Sequence, residues 1–304
     1  MAPLTKRLRR AWRRSVFRFL RWLARMLAGR ARATRAVGRF FGGLNYALRP
    51  GERRRDLANL RVALPGRPVQ ELRAIARESL CDASVGALEF LQLVDGRIRP
   101  QQFLGPVTAY GREHLDGALA AGRGVLAVGL HLGHFGKVPL WLAQAGYPVT
   151  IVIREARQVP PGYYIAALER LGIEAIRIER DQAAAPRVLD ALHRGRIVMI
   201  YLDQGVKTDG GINIDFLGKR VPMPAGPLVL ARRARAPIVP VFLHPQDHDV
   251  VIHPPLGAPT GSLREDDPTL QALYRLAEAE IRGHPAFWQW RYRRWGRGDQ
   301  GSAE

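Results

Sequence analysis

The chain has 304 residues, with 47 Lys and Arg against 27 Asp and Glu, for a formal net charge of +20. Its 47% hydrophobic and 24% charged content excludes wholesale disorder, and its length supplies one large core or two small ones. A lone cysteine, Cys81, excludes a disulfide framework and a cysteine-rich zinc site.

A charge of this size points first to nucleic acid, so its position decides what it means. Residues 1–55 carry 17 basic side chains and one acid, Glu52, whereas residues 56–304 carry 30 basic and 26 acidic groups. The chain therefore divides into a basic segment, 1–55, and a nearly neutral body, 56–304. At 100° per residue, Trp12, Val16, Phe19, Leu20, Leu23, Met26 and Leu27 form an apolar stripe. Arg10, Arg14, Arg18, Arg21 and Arg25 fall opposite it. Arginines interrupt the stripe too often for a spanning helix, and no continuous apolar core follows the basic start as in a signal peptide. The pattern predicts an amphipathic helix lying on an anionic membrane surface. The competing arrangement is a helix packed on the body with a solvated basic face. No nucleic-acid-binding module is recognisable, so no nucleic-acid partner is expected.

After Pro65-Gly66, residues 69–92 read as an amphipathic helix with Leu72, Ile75, Ala76, Leu80, Ala83, Ala87 and Leu91 on its apolar face. From residue 124 short apolar runs alternate with helical stretches. Strands are expected at 124–130, 148–153, 197–202, 237–243 and 250–252, and helices near 134–145, 161–171, 184–194, 225–235 and 268–283. Alternation of this kind predicts an α/β fold with a mostly parallel central sheet flanked by helices. The stretch 124–153 carries one full charge, Lys137, but Gly and Pro punctuate it at strand–helix–strand intervals, which makes it core rather than membrane span. A tail of aromatic and basic residues containing Trp288, Trp290 and Trp295 suits either an interfacial belt or the core.

His131 directly follows the strand 124–130, at the sheet edge where open α/β folds bind ligands. A histidine there can take a proton from a hydroxyl nucleophile. His131 and His134 supply only two ligands for a metal, with no third at a diagnostic spacing, so no metal and no cofactor is expected. No G-x-S-x-G elbow, G-x-G-x-x-G or P-loop occurs.

Several segments in a shared order carry a family resemblance: Tyr110–Asp116, the run Gly124–Leu130 with His131-Leu-Gly-His-Phe135, Arg154, and Tyr201-Leu-Asp-Gln204. It continues through Asp215–Gly218, Pro222–Gly226, Leu230–Pro237 and His284–Trp290, with Asn59–Pro65 upstream. On these the chain resembles the bacterial lipid A biosynthesis acyltransferases, of the lauroyl or myristoyl type. The resemblance implies a glycerolipid-acyltransferase-like fold and a peripheral enzyme on the cytoplasmic face of the inner membrane. It implies acyl transfer from acyl carrier protein or acyl-coenzyme A to a lipid hydroxyl. The family motif is a His followed, five positions on, by an acid that orients it. Here His131, Gly133 and Phe135 match, but His134 replaces the asparagine and Gly136 replaces the acid.

Three arrangements remain open. Asp203, at another strand end, can supply the missing carboxylate; His131 can act alone or with His134; or the fold can persist as a lipid-binding or regulatory relative without catalysis. The expected catalytic pair is His131 with Asp203. Substrate contacts are expected at His134, Arg154, Gln204, Lys219 and Arg220, with Arg154 suited to a phosphate and the last two to anionic head groups.

Overall fold

The structure is a computed structural model that describes residues 2–155, 159–178, 184–203, 211–244, 246, 248–261 and 263–291. Five helices come first: α1 (Ala2–Met26), α2 (Ala31–Leu48), α3 (Pro50–Ala63), α4 (Val69–Val94) and α5 (Pro100–Leu104). The alternating part runs β1 (Ala109–Tyr110), α6 (Arg112–Ala120), β2 (Val125–Gly129), α7 (Lys137–Gln144), β3 (Val149–Ile153), α8 (Tyr163–Arg170) and β4 (Glu174–Arg177). It continues with α9 (Ala184–His193), β5 (Ile197–Tyr201), the hairpin β6 (Gly211–Phe216) and β7 (Lys219–Pro224), α10 (Gly226–Ala234), β8 (Ile238–His244), β9 (Asp249–Ile252) and α11 (Pro268–Gly283).

Seven strands form one sheet in the order β1-β9-β8-β2-β5-β3-β4. All neighbours in it are parallel except β8 and β9, which the short turn between them makes antiparallel. β2 is buried at every residue, as expected for a central strand covered on both faces. Two apolar layers flank the sheet. One contains Leu126, Val128, Val198, Phe242 and α11, and the other Val125, Ala127, Met199, Val241 and α7.

All five strands expected from the sequence form as β2, β3, β5, β8 and β9, and the expected helices form as α4, α7, α8, α9, α10 and α11. The sequence reading missed β4 and the β6–β7 hairpin. The first has only two consecutive apolar residues, Ala175 and Ile176. The second alternates, with Ile214 and Phe216 inward and Asn213 and Asp215 outward, but prolines 222 and 224 mask its partner strand.

The basic segment is helical and packs on α4. Thr34, Gly38 and Gly42 recur every fourth residue along α2 and are all buried. A Cβ at Gly42 would lie 2.5 Å from the Cα of Cys81, and one at Gly38 would lie 2.7 Å from the Cα of Val85. Only glycine permits that approach of two helices. Further along, Thr34 Oγ1 accepts a hydrogen bond from Gln92 Nε2 at 3.0 Å. α3 runs through residue 55, where the charge composition changes.

The faces of α1 differ from the expected division. Among its described side chains Phe17 and Ala24 are buried, while Trp12, Val16, Phe19 and Met26 of the apolar stripe are exposed together with Trp22. Half-buried Arg21 and exposed Arg25 instead pair with the buried carboxylate of Asp95 at 2.8 and 2.9 Å. The phenol of Tyr163 donates to the same carboxylate at 2.6 Å. An acid beneath the helix redirects two arginines that periodicity alone assigns to solvent. Among the described residues, no helix is long and apolar enough to cross a membrane.

Candidate active site

β2 and β5 lie side by side with Gly129 paired to Tyr201. His131 and Asp203 each stand two residues beyond that pair, so parallel register delivers them together at the carboxyl edge of the sheet. Gly129 leaves room for its neighbours, because a Cβ there would lie 2.7 Å from the Met199 methyl and 3.1 Å from the ring of Tyr201. The chain turns away after His131 through Gly133, whose φ of +52° favours glycine.

His131 Nδ1 is 2.7 Å from Asp203 Oδ1. Asp203 Oδ2 accepts two further hydrogen bonds, from the backbone N–H of His131 at 3.1 Å and from Trp288 Nε1–H at 2.8 Å. The carboxylate is fully buried and therefore depends on these donors. An ionised carboxylate only accepts, so the proton sits on Nδ1 and the lone pair on Nε2. The imidazole packs against Tyr201 and Phe135, with ring centroids 4.5 and 4.6 Å away. Burial pushes the Tyr201 phenol far up, so it stays a neutral donor to the Phe135 carbonyl at 3.2 Å. The histidine side chain keeps 13% of its surface exposed, which leaves a way in for a reactant.

For Trp288 and Trp290 the structure takes the second of the two placements that the sequence left open, the core. Trp288 and Trp290 are fully buried, stacked edge to face at 4.8 Å, rather than lying in an interfacial belt. The segment carrying them crosses the loop after β2, where the N–H of Gly133 donates to the Phe287 carbonyl at 2.8 Å. Ser79 Oγ donates to the Trp288 carbonyl at 2.6 Å, which ties the same segment to α4.

His134 points into a charged cluster on α4. Its Nδ1 and Nε2 lie 3.1 Å from Glu89 and 3.5 Å from Asp82, ion-pair distances without hydrogen-bond alignment. Burial opposes its protonation, but the two carboxylates overcome that and raise its pKa to about 9. Glu89 is correspondingly lowered: burial disfavours its charge, and His134 outweighs burial. Lys137 is buried nearby and donates to the Leu104 carbonyl at 2.9 Å, with burial lowering its pKa. Gly136, where the family motif has its acid, opens toward Phe90. A Cβ there would meet that ring at an ordinary 3.6 Å.

The remaining expected contacts are spread out. Arg154, just after β3, is exposed and has no ion pair among the described residues. Lys219 and Arg220 open β7; the first is half-buried, and the second is exposed and paired with Glu265. Gln204 and Trp295 lie outside the described residues.

Comparison with known proteins identifies the family. The family model for bacterial lipid A biosynthesis acyltransferases matches residues 7–297. A phosphatidylinositol mannoside acyltransferase of Mycolicibacterium smegmatis is 27% identical over 269 residues, 86% of this chain and 85% of that protein. Phosphatidylinositol mannoside acyltransferases from two strains of Mycobacterium tuberculosis are 28% identical over 191 residues. The match takes in 61% of this chain and spans 58% of the length of those two relatives. The chain belongs to the bacterial lipid A biosynthesis acyltransferase family.

Proposed function

We propose that this protein transfers a fatty acyl chain from an acyl-carrier-protein or acyl-coenzyme A thioester to a hydroxyl of a membrane glycolipid. The observation that carries the reading is the His131–Asp203 contact of 2.7 Å, which supplies from β5 the carboxylate missing at Gly136. Asp203 holds the imidazole with Nε2 unprotonated. Nε2 removes the proton of the acceptor hydroxyl as its oxygen attacks the thioester carbonyl. Collapse of the tetrahedral intermediate breaks the C–S bond, and the departing thiolate takes the proton from His131. Products are the ester and the free thiol.

The family model is described for lipid A biosynthesis, and the relatives are named for phosphatidylinositol mannoside. Both acceptors are glycolipids, so the acceptor class is common to them. Exposed Arg154 suits an acceptor phosphate or the phosphopantetheine of the donor, and Lys219 and Arg220 suit anionic head groups. His134 has a positioning role, because its ring is committed to Asp82 and Glu89.

The protein works at the cytoplasmic face of the inner membrane, held by residues 1–55. Support comes from Trp12, Phe19, Trp22 and Met26 on α1 and Phe40, Leu44 and Leu48 on α2, all exposed beside a segment of 17 basic residues. A lipid-binding relative without catalysis is the alternative that Gly136 raises. The intact buried dyad favours an enzyme.

The test is transfer of labelled acyl chains by the full-length protein to phosphatidylinositol mannoside or a lipid A precursor in anionic vesicles. Wild type esterifies at least one, and His131→Ala esterifies neither. An inactive wild type with both donors, or an active His131→Ala, overturns the proposal.

A further inference from the structure

Away from the His131 dyad, four side chains from three segments converge where α11 meets the sheet. His244 ends β8, His253 follows β9, Glu280 lies in the last turn of α11, and His284 caps that helix. His244 Nε2 is 3.2 Å from one oxygen of Glu280, and His253 Nε2 is 3.6 Å from the other. A donor atom of His284 joins those of His244 and Glu280, with all three within 4.8 Å of one another. The rings of His244 and His284 are 5.0 Å apart.

We propose that His244, Glu280 and His284 bind a divalent transition metal of the zinc class, with His253 held at the other oxygen of Glu280. Two imidazoles beside one carboxylate match that class and not magnesium or calcium, which take oxygen ligands. Tetrahedral zinc with bonds of about 2.0–2.1 Å separates its ligand atoms by about 3.4 Å. The 3.2 Å between His244 Nε2 and its Glu280 oxygen is close to that value. The Nε2 atom of His244 is shielded from solvent and completes no hydrogen bond among the described residues.

The site is structural. All four positions sit on regular elements or directly at their ends, and together they join β8 and β9 to the end of α11. Four residues after His284 comes Trp288, whose indole donates to Asp203. A cation here fixes the point from which the Trp288 segment starts. The sequence reading sought metal ligands at His131 and His134 by spacing. This set is dispersed over 41 positions of the chain, from 244 to 284, and has no motif.

The experiment titrates chelator-stripped full-length protein with zinc chloride against a chromophoric competitor. One equivalent binds with a Kd below about 1 μM, and at a hundredfold excess over Kd the melting temperature rises by about 5 °C. His244→Ala and Glu280→Gln each weaken binding at least tenfold. Glu280→Gln preserves shape, and circular dichroism verifies that both variants fold. Absence of stoichiometric binding by wild type overturns the proposal without reference to any variant. Undiminished binding by folded His244→Ala and Glu280→Gln places the metal elsewhere and overturns it equally.

Discussion

Asp203→Asn changes one atom of a carboxylate that serves three donors. His131 Nδ1 at 2.7 Å, the His131 backbone N–H at 3.1 Å and Trp288 Nε1 at 2.8 Å all need an acceptor. An asparagine has one oxygen. If that oxygen faces Nδ1, its amide opposes two buried N–H groups, and each orphaned donor costs about 1–3 kcal/mol. If the amide faces Nδ1, that nitrogen must become the acceptor, Nε2 takes the proton, and the base is lost. Either way turnover falls by about 10²–10⁴, the range assigned to general acid–base catalysis. The melting temperature drops by about 2–8 °C in the first case. The assay is initial-rate acyl transfer at saturating donor and acceptor, with calorimetry on the same preparation. A folded Asp203→Asn enzyme within about threefold of wild-type turnover refutes the reasoning, because the carboxylate would then not orient the base.

Other substitutions probe separate links. Trp288→Phe removes one donor to Asp203 and opens a small buried space, so turnover falls about tenfold at an unchanged KM, with a stability loss of about 1–3 kcal/mol in denaturant titration. Gly136→Glu has room for its Cβ beside Phe90, but Asp203 already occupies Nδ1, so no gain in activity is expected; an increase above about threefold would show that the dyad is incomplete. His134 has a folded pKa of about 9, above its ordinary 6.5. Its ion pairs therefore stabilise the fold fully below pH 6.5 and are lost as pH rises through 9, a span worth about 3 kcal/mol. His134→Gln should flatten the decline in stability between pH 6.5 and 9, and an unchanged slope in urea melts would assign that decline to another group.

Much of the fold was legible because buried parallel strands announce themselves as unbroken apolar runs. β2, β3 and β5 are of that kind, whereas β4 is an edge strand with two apolar residues and β7 is interrupted by prolines. The position of His131 and Asp203 at strand ends was readable too. Their contact was not, because it depends on β2 and β5 being neighbours in the sheet. Trp288 gave no local signal for its role: an indole among arginines reads equally as belt or core, and its partner is 85 positions away. His134 illustrates a different gap. Asp82 and Glu89 are seven residues apart on α4, hence on one helical face, but nothing local aims that face at the loop after β2. The same holds for α1, where amphipathicity is visible in sequence but the acid that captures Arg21 and Arg25 is remote.

The most direct measurement of whether His131 and Asp203 act as one unit is a double-mutant cycle on turnover with His131→Ala, Asp203→Asn and the combined variant. If Asp203 acts only through the imidazole, the double variant is no slower than His131→Ala alone. Losses that multiply, so that the double variant falls below His131→Ala by the full Asp203→Asn factor, would contradict a shared His131–Asp203 base.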